Sequence, residues 1–359
     1  PIGPSTLDRE VYNDPTRFEL ERARVLGTHW LIAGRSEQIP EPGDWLTYEG
    51  HGETVVVTRQ PDGGAAAFHN VCQHRGPAIV GELSGCGARR FTCPYHGWVY
   101  DTTGDLVGVP EREGFDPSHL DGLRAPSVAV DEWAGWIWIN LAGPLQAPPL
   151  AEAIGPEITA DLGRYRMEDM TLLEVLEWDV PVSYKAVVDG FNEIYHTHQL
   201  HGVSSEWVAA AQATSFHIVG DNSMCFVPRA EHLDALADDW DHHRYAICHY
   251  LVFPNTVFNC NPGHLQVFQP IPVDVDRTRF LCWELIYPDT GDDPDYATYL
   301  ERTMAHWDVL KGVVGEDIGI YEQLARTKRS SGYTRNVLQA RECKLALYHE
   351  QMDRKIRGS

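Results

Sequence analysis

The chain has 359 residues, 43% of them hydrophobic, with 52 acidic against 29 basic residues and a net charge of −23. That balance argues against nucleic acid as a partner, because phosphates reward basic surfaces. No apolar run reaches the roughly 18–20 residues needed to span a bilayer, and the longest, at 133–141, reads as a buried strand.

The length suits two domains, each with its own core. Residues 1–10 show no basic apolar leader, and the eight cysteines lack a disulfide-like framework, so a reducing cytoplasm is expected. Phe18, Leu20, Ala23, Val25, Leu26 and Trp30 predict a short helix within 15–30 that runs into a strand. The segment 1–40 is expected to pack on the second domain. Residues 54–58 read as a strand, 61–64 as a turn and 65–69 as its return strand.

Two short pairs of ligand residues follow. Cys72 and His74 enclose one residue, Cys93 and His96 enclose two, and eighteen residues separate His74 from Cys93. Two thiolates and two imidazoles in this order can hold a [2Fe–2S] cluster, the cysteines on one iron and the histidines on the other, which raises its potential above that of an all-cysteine cluster. Structural zinc also accepts two cysteines and two histidines, but zinc fingers usually pair like with like along the chain. Here each segment supplies one of each. Gly76 and Gly97 allow a loop to approach a cluster closely, Pro94 stiffens the turn, and Trp98 is placed to shield sulfur from water.

The motif pair, with Arg75-Gly76 after the first histidine and Gly97-Trp98 after the second, resembles the Rieske domain of Rieske-type non-haem iron oxygenases. The resemblance covers roughly 40–145. It implies an N-terminal all-β Rieske [2Fe–2S] domain over 41–150, with Cys72, His74, Cys93, His96 and Trp98 at the cluster.

Prolines at 144, 148 and 149 mark a boundary, and composition then changes. Residues 171–180 alternate as a strand. Further strands are predicted at 214–219, 224–228, 246–253, 265–271 and 279–287, a spacing that gives an antiparallel sheet. A long helix is predicted over 295–328, with Tyr299, Leu300, Met304, Trp307, Leu310 and Val314 at three- and four-residue spacing and with Gly312, Gly315 and Gly319 as possible bends. A last polar helix is expected over 335–354. The domain 151–359 therefore reads as α+β, and it resembles a helix-grip fold.

The segment 182–201 is dense in ligand chemistry. Read as a continuous helix, it carries an apolar stripe of Tyr184, Val187, Val188, Phe191 and Tyr195, with Asp189, Glu193 and His196 on another face. His201, five residues past His196, suits a second ligand if the helix loosens; His198 points the other way. Two histidines and a carboxylate form the facial triad of oxygen-activating Fe(II) enzymes. By resemblance the carboxylate comes from a late helix, which implies Asp317, with Glu316 as the fallback. The resemblance also implies that the acid three positions before the first histidine, usually aspartate and here Glu193, bonds that histidine and reaches a cluster histidine of a neighbouring subunit. Asp189 is able to share this role.

The resemblance thus implies a terminal oxygenase. Its expected cofactors are a Rieske cluster, mononuclear Fe(II) and dioxygen, and its electrons come from a ferredoxin or flavin reductase fed by NAD(P)H. It is expected to form a homotrimer. The expected substrate is an aromatic compound, with a quaternary amine as the alternative. Candidate pocket residues are Phe191, Val203, Trp207, Phe216, His249, Phe253, Asn259, Phe268, Trp307 and Leu310. A bare Rieske electron carrier would need only the first domain, and a helix-grip binding protein would need no iron.

Overall fold

The structure, a computed structural model, describes residues 5–202, 213–230, 232, 240–261, 263–291 and 293–358. The chain divides into two compact units: one is residues 26–153, and the other joins residues 1–25 to 154–359. Among the described residues no helix is long and apolar enough to cross a membrane, and all eight cysteines are free thiols.

The unit 26–153 is all β. Its larger sheet has the order Leu31–Arg35, Trp136–Asn140, Ser127–Trp133, Ala65–His69, Glu53–Arg59, Trp45–Gly50 and Ser84–Gly85. Strand Leu31–Arg35 belongs to this sheet although it lies within the first forty residues. Trp136–Asn140 is buried along its whole length, as the tryptophan-rich run predicts. A second, three-stranded sheet is built from Arg90–Thr92, Val99–Asp101 and Leu106–Gly108. Trp45, Phe68, Phe91, Trp98 and Tyr100 fill the core between the sheets, with the thiols of Cys72 and Cys93 embedded in it.

The other unit is α+β, in keeping with the expected fold class. Its seven-stranded antiparallel sheet has the order Thr171–Val180, Arg277–Ile286, His264–Asp274, Thr256–Asn261, Ala246–Val252, Asn222–Pro228 and Ser215–Val219. Thr256–Asn261 is a strand that the pattern does not announce. It carries Asn259 and Asn261, and both are buried in a network in which their amides donate to Gln266 Oε1 at 2.8 and 3.1 Å.

Helix Tyr184–Phe191 lies against this sheet. Ser183 caps it by accepting the Lys185 N–H, and Phe191 stacks on Phe268 and Phe280, with centroids 4.3 and 5.1 Å apart. The long helix Tyr296–Thr327 runs unbroken through its three glycines. Its buried stripe is Thr303, Trp307, Val314, Asp317 and Tyr321, and Trp307 Nε1 donates to Glu174 at 2.7 Å.

The last helix starts later than expected. Arg335–Leu338 is a strand paired with Ser5–Asp8, and the helix occupies Cys343–Arg357. Its stripe of Leu345, Tyr348, Met352 and Ile356 is buried.

Candidate functional sites

The cluster motif folds into two loops. In the first, the Cys72 N–H donates to Pro77 O at 2.9 Å and the Gly76 N–H to Cys72 O at 2.9 Å; in the second, the Cys93 N–H donates to Trp98 O at 2.8 Å and the Gly97 N–H to Cys93 O at 3.1 Å. Gly76 and Gly97 have φ of +84° and +71°, the left-handed turn that only glycine adopts without strain. Burial pushes the Cys93 thiol up, with Cys72 in hydrogen-bonding contact. The His74 and His96 rings lie 4.5 Å apart. Trp98 stacks flat on His74 at 4.9 Å and 7° rather than merely covering sulfur.

Tyr100 OH lies 3.4 Å from Cys72 Sγ and accepts the Gln73 N–H at 2.9 Å. Buried His74 Nδ1 has no hydrogen-bond partner. An orphaned imidazole nitrogen beside two buried thiols and a second imidazole is the donor set a mixed-ligand cluster requires, so these residues fit the group.

The histidine segment is not one helix. The first helix stops at Phe191, and a second short one occupies Thr197–Leu200. Glu193 makes the break: its carboxylate accepts the N–H groups of Tyr195 and His196 and also bonds His196 Nδ1. A side chain that satisfies the backbone locally competes with helix continuation. Tyr195, placed on the apolar stripe by a continuous helix, is instead exposed.

The break brings the candidate ligands together. His196 Nε2 and His201 Nε2 lie 3.7 and 3.6 Å from Asp317 Oδ1, and one donor atom from each of the three residues falls within 4.8 Å of the others. Burial pushes the Asp317 carboxyl up to about 6, against the pull of His196 and His201. At His196 burial disfavours the charged ring, but the Glu193 carboxylate outweighs it and the pKa is raised. Glu316, the fallback ligand, instead bonds His201 Nδ1 at 2.7 Å. Both histidines therefore carry a carboxylate on Nδ1 and present Nε2 to Asp317. Sequence reasoning missed that role for Glu316; its adjacency to Asp317 was the available signal.

Gly190 is what lets the long helix come this close, because a Cβ there would overlap the Tyr321 hydroxyl one turn beyond Asp317. Asp189 faces elsewhere. It accepts from Tyr12 OH at 2.6 Å and bonds His349 Nε2 at 2.9 Å. His198 is not part of the converging set.

Of the pocket candidates, Phe191, Phe216 and His249 line one cavity with Asn192, Arg341 and Lys344. Phe253, Phe268 and Trp307 are core, and Asn259 belongs to the sheet network. Val203 and Trp207 lie outside the described residues. A second converging group, Asp161 with His242 and His243, is already satisfied internally: both Nε2 atoms lie within 3.0 Å of Asp161 Oδ1, and Tyr250 OH donates to Oδ2 at 2.6 Å.

Residues 167–358 match the ring-hydroxylating alpha subunit (catalytic domain), and residues 29–125 match the Rieske [2Fe–2S] domain. The chain belongs to the ring-hydroxylating alpha-subunit family. It is 35% identical over 214 residues to the biphenyl dioxygenase subunit alpha of Metapseudomonas furukawaii, a match covering 55% of this chain and 45% of that one. The chain thus spans about half the length of the dioxygenase relatives it matches. The carnitine monooxygenase oxygenase subunit of Acinetobacter baumannii is 25% identical over 345 residues, covering 91% of this chain and 86% of the relative. Among solved structures, the apo quaternary ammonium Rieske monooxygenase aligns with a TM-score of 0.78 at 20% identity, covering 98% of this chain and 96% of that chain. Naphthalene 1,2-dioxygenase from a Rhodococcus species bound to indole aligns with a TM-score of 0.76 at 20% identity, covering 99% and 95%. At that identity the likeness is one of fold.

Proposed function

We propose that this chain is the terminal component of a Rieske non-haem iron oxygenase, hydroxylating a small organic substrate, in the first place an aromatic compound by ring hydroxylation or oxidative demethylation. The observation that carries this reading is the convergence of His196 and His201, each oriented by its own carboxylate, on buried Asp317. When bound, the cluster would supply single electrons and the ferrous ion would activate dioxygen beside the substrate.

The chain's own residues do the positioning. Cys72, His74, Cys93 and His96 would hold the cluster, with Trp98 fixing the plane of His74. His196, His201 and Asp317 would hold the iron. Glu193 and Glu316 would keep the proton on Nδ1 of their histidines, so that Nε2 stays a lone-pair donor and gains basicity. His96 is exposed at its loop tip, which lets a carboxylate such as Glu193 of another copy reach it in a homotrimer. A ferredoxin or flavin reductase drawing on NAD(P)H would be the electron source, in the cytoplasm. The near full-length similarity to a carnitine monooxygenase subunit supports a second reading, a monooxygenase acting on a quaternary amine.

Metal analysis tests the reading. About three irons and two sulfides per chain are expected from the proposed ligand sets, against two irons for a bare Rieske carrier. Glu193→Gln, supplied with enough Fe(II) to offset the weaker hold expected from losing the outer partner of His196, should keep the cluster and a full iron content yet stop substrate-dependent oxygen uptake; unchanged uptake would remove Glu193 from the electron path.

A further inference from the structure

One cavity beside the converging histidines has a charge pattern that runs against the rest of the molecule. In a chain with 52 acidic and 29 basic residues, this cavity of about 160 Å³ is lined by two cations, Arg341 and Lys344, on or just before the last helix. Lys344 is only 7% exposed, while Arg341 stands exposed at the rim. Neither side chain forms an ion pair or hydrogen bond among the described residues. A buried cation without a counter-charge is costly and is normally paired.

The other lining groups do not supply the missing anion. Glu193 borders the cavity, but its carboxylate is taken up by His196 and the Tyr195 N–H. His249 is held neutral, its pKa lowered to about 3 by burial and then by Lys344. Asn192 lines the same space with both amide atoms buried and unpartnered. A buried polar group left unpaired is an exception that calls for a ligand. Phe191 and Phe216 supply apolar wall. Arg341, Glu193 and Ile194 also border the cavity that contains His196 and Asp317, so the two spaces adjoin.

We infer that the substrate of this site carries a carboxylate, seated against Lys344 and Arg341 and hydrogen-bonded by Asn192, with an aromatic ring between Phe191 and Phe216. This rests on the oxygenase reading above and narrows it to carboxylated aromatics. The cavity is smaller than the roughly 300–1,000 Å³ of drug-sized ligand sites, which selects a single-ring acid. A quaternary ammonium group would meet two cations and no aromatic cage.

The test is calorimetric binding to the full iron-loaded chain without oxygen, using benzoate, the neutral isostere benzamide and phenyltrimethylammonium. Wild type should bind benzoate at least tenfold more tightly than benzamide, and phenyltrimethylammonium most weakly. Lys344→Met should remove that preference while leaving benzamide binding unchanged, and Lys344→Arg should keep it. Lys344→Met should also match or exceed the wild-type thermal midpoint, since an unpaired buried charge is gone. No benzoate binding, equal affinity for benzoate and benzamide, preference for the cation, a preference that survives Lys344→Met, or a lowered midpoint for Lys344→Met would each overturn the inference. Binding needs no turnover, so the two readings fail separately. Three irons per chain without benzoate preference would sink only the carboxylate, and benzoate preference with two irons per chain would sink only the oxygenase.

Discussion

Carboxylates at this site act at two distances from the proposed metal, and substitution separates them. Asp317 faces Nε2 of both histidines, while Glu193 and Glu316 sit on the far nitrogens. Asp317→Asn should abolish retention of the mononuclear iron. Glu316→Gln should weaken it by about 10–100-fold, the usual effect of losing the outer partner of a ligating histidine. Iron per chain after dialysis against a graded chelator reads both, with the visible spectrum of the cluster as internal control. If Glu316→Gln holds iron as tightly as wild type, its contact with His201 is incidental. His249 offers a pH reading at the same scale. Burial and Lys344 lower its pKa to about 3, whereas the unfolded chain titrates near 6.5. The unfolded state therefore takes up the proton first, and the stability this neutral ring contributes above pH 6.5 is lost as pH falls from 6.5 toward 3. His249→Leu should lose less thermal stability than wild type between pH 7 and pH 5; equal losses would place the acid sensitivity elsewhere.

The site depends on how closely two helices approach. Helix Tyr184–Phe191 carries Gly190 where the Tyr321 hydroxyl of the long helix comes down on it. Gly190→Ala overpacks this contact at a cost of about 1–3 kcal/mol, and separating the helices carries Asp317 away from the histidines. A fall in thermal midpoint together with loss of mononuclear iron, the cluster spectrum being unchanged, is the expected outcome. Full iron retention would show that Tyr321 swings aside instead. Much of this was legible in the sequence. The four proposed cluster ligands lie close together in sequence on two short loops, so spacing alone was enough to single them out. The strand Thr171–Val180 has the bounds that its sequence pattern predicts. Asp317 could be read only through the family resemblance, yet it stands on the buried stripe with Trp307, Val314 and Tyr321, and an acid on a packed stripe is the mark of a partner. The break after Phe191 was not legible, because it arises from three bonds to one Glu193 carboxylate. Thr256–Asn261 escaped for a related reason. Its asparagines are buried by cross-strand partners, and periodicity cannot see those.

At the scale of the whole chain, the first 25 residues belong to the same unit as 154–359, and buried charge fastens them there. Helix Pro15–Glu21, capped by Asp14 on the Thr16 N–H at 2.8 Å, places Glu21 against Lys185 in an ion pair where both residues are at most 1% exposed. Arg17 adds a 2.9 Å contact to Glu21 and a 2.6 Å contact to Asp353 on the last helix. Further along, Asp189 joins Tyr12 and His349. The helix that leads to His196 is thus anchored from behind by residues about 165 positions earlier in the chain. Burial pushes the Lys185 amine down while Glu21 holds it up, so removing the carboxylate strands a charge in apolar surroundings. Glu21→Leu alone should destabilise this unit by about 3–5 kcal/mol, whereas Glu21→Leu with Lys185→Met should recover most of that loss, since apolar replacement of a whole buried pair is often neutral. Urea unfolding followed by tryptophan fluorescence measures both. A double variant no better than the single one would mean that the pair holds the segment by shape rather than charge, and the anchor behind the histidines would then have to lie with Asp189, Tyr12 and His349.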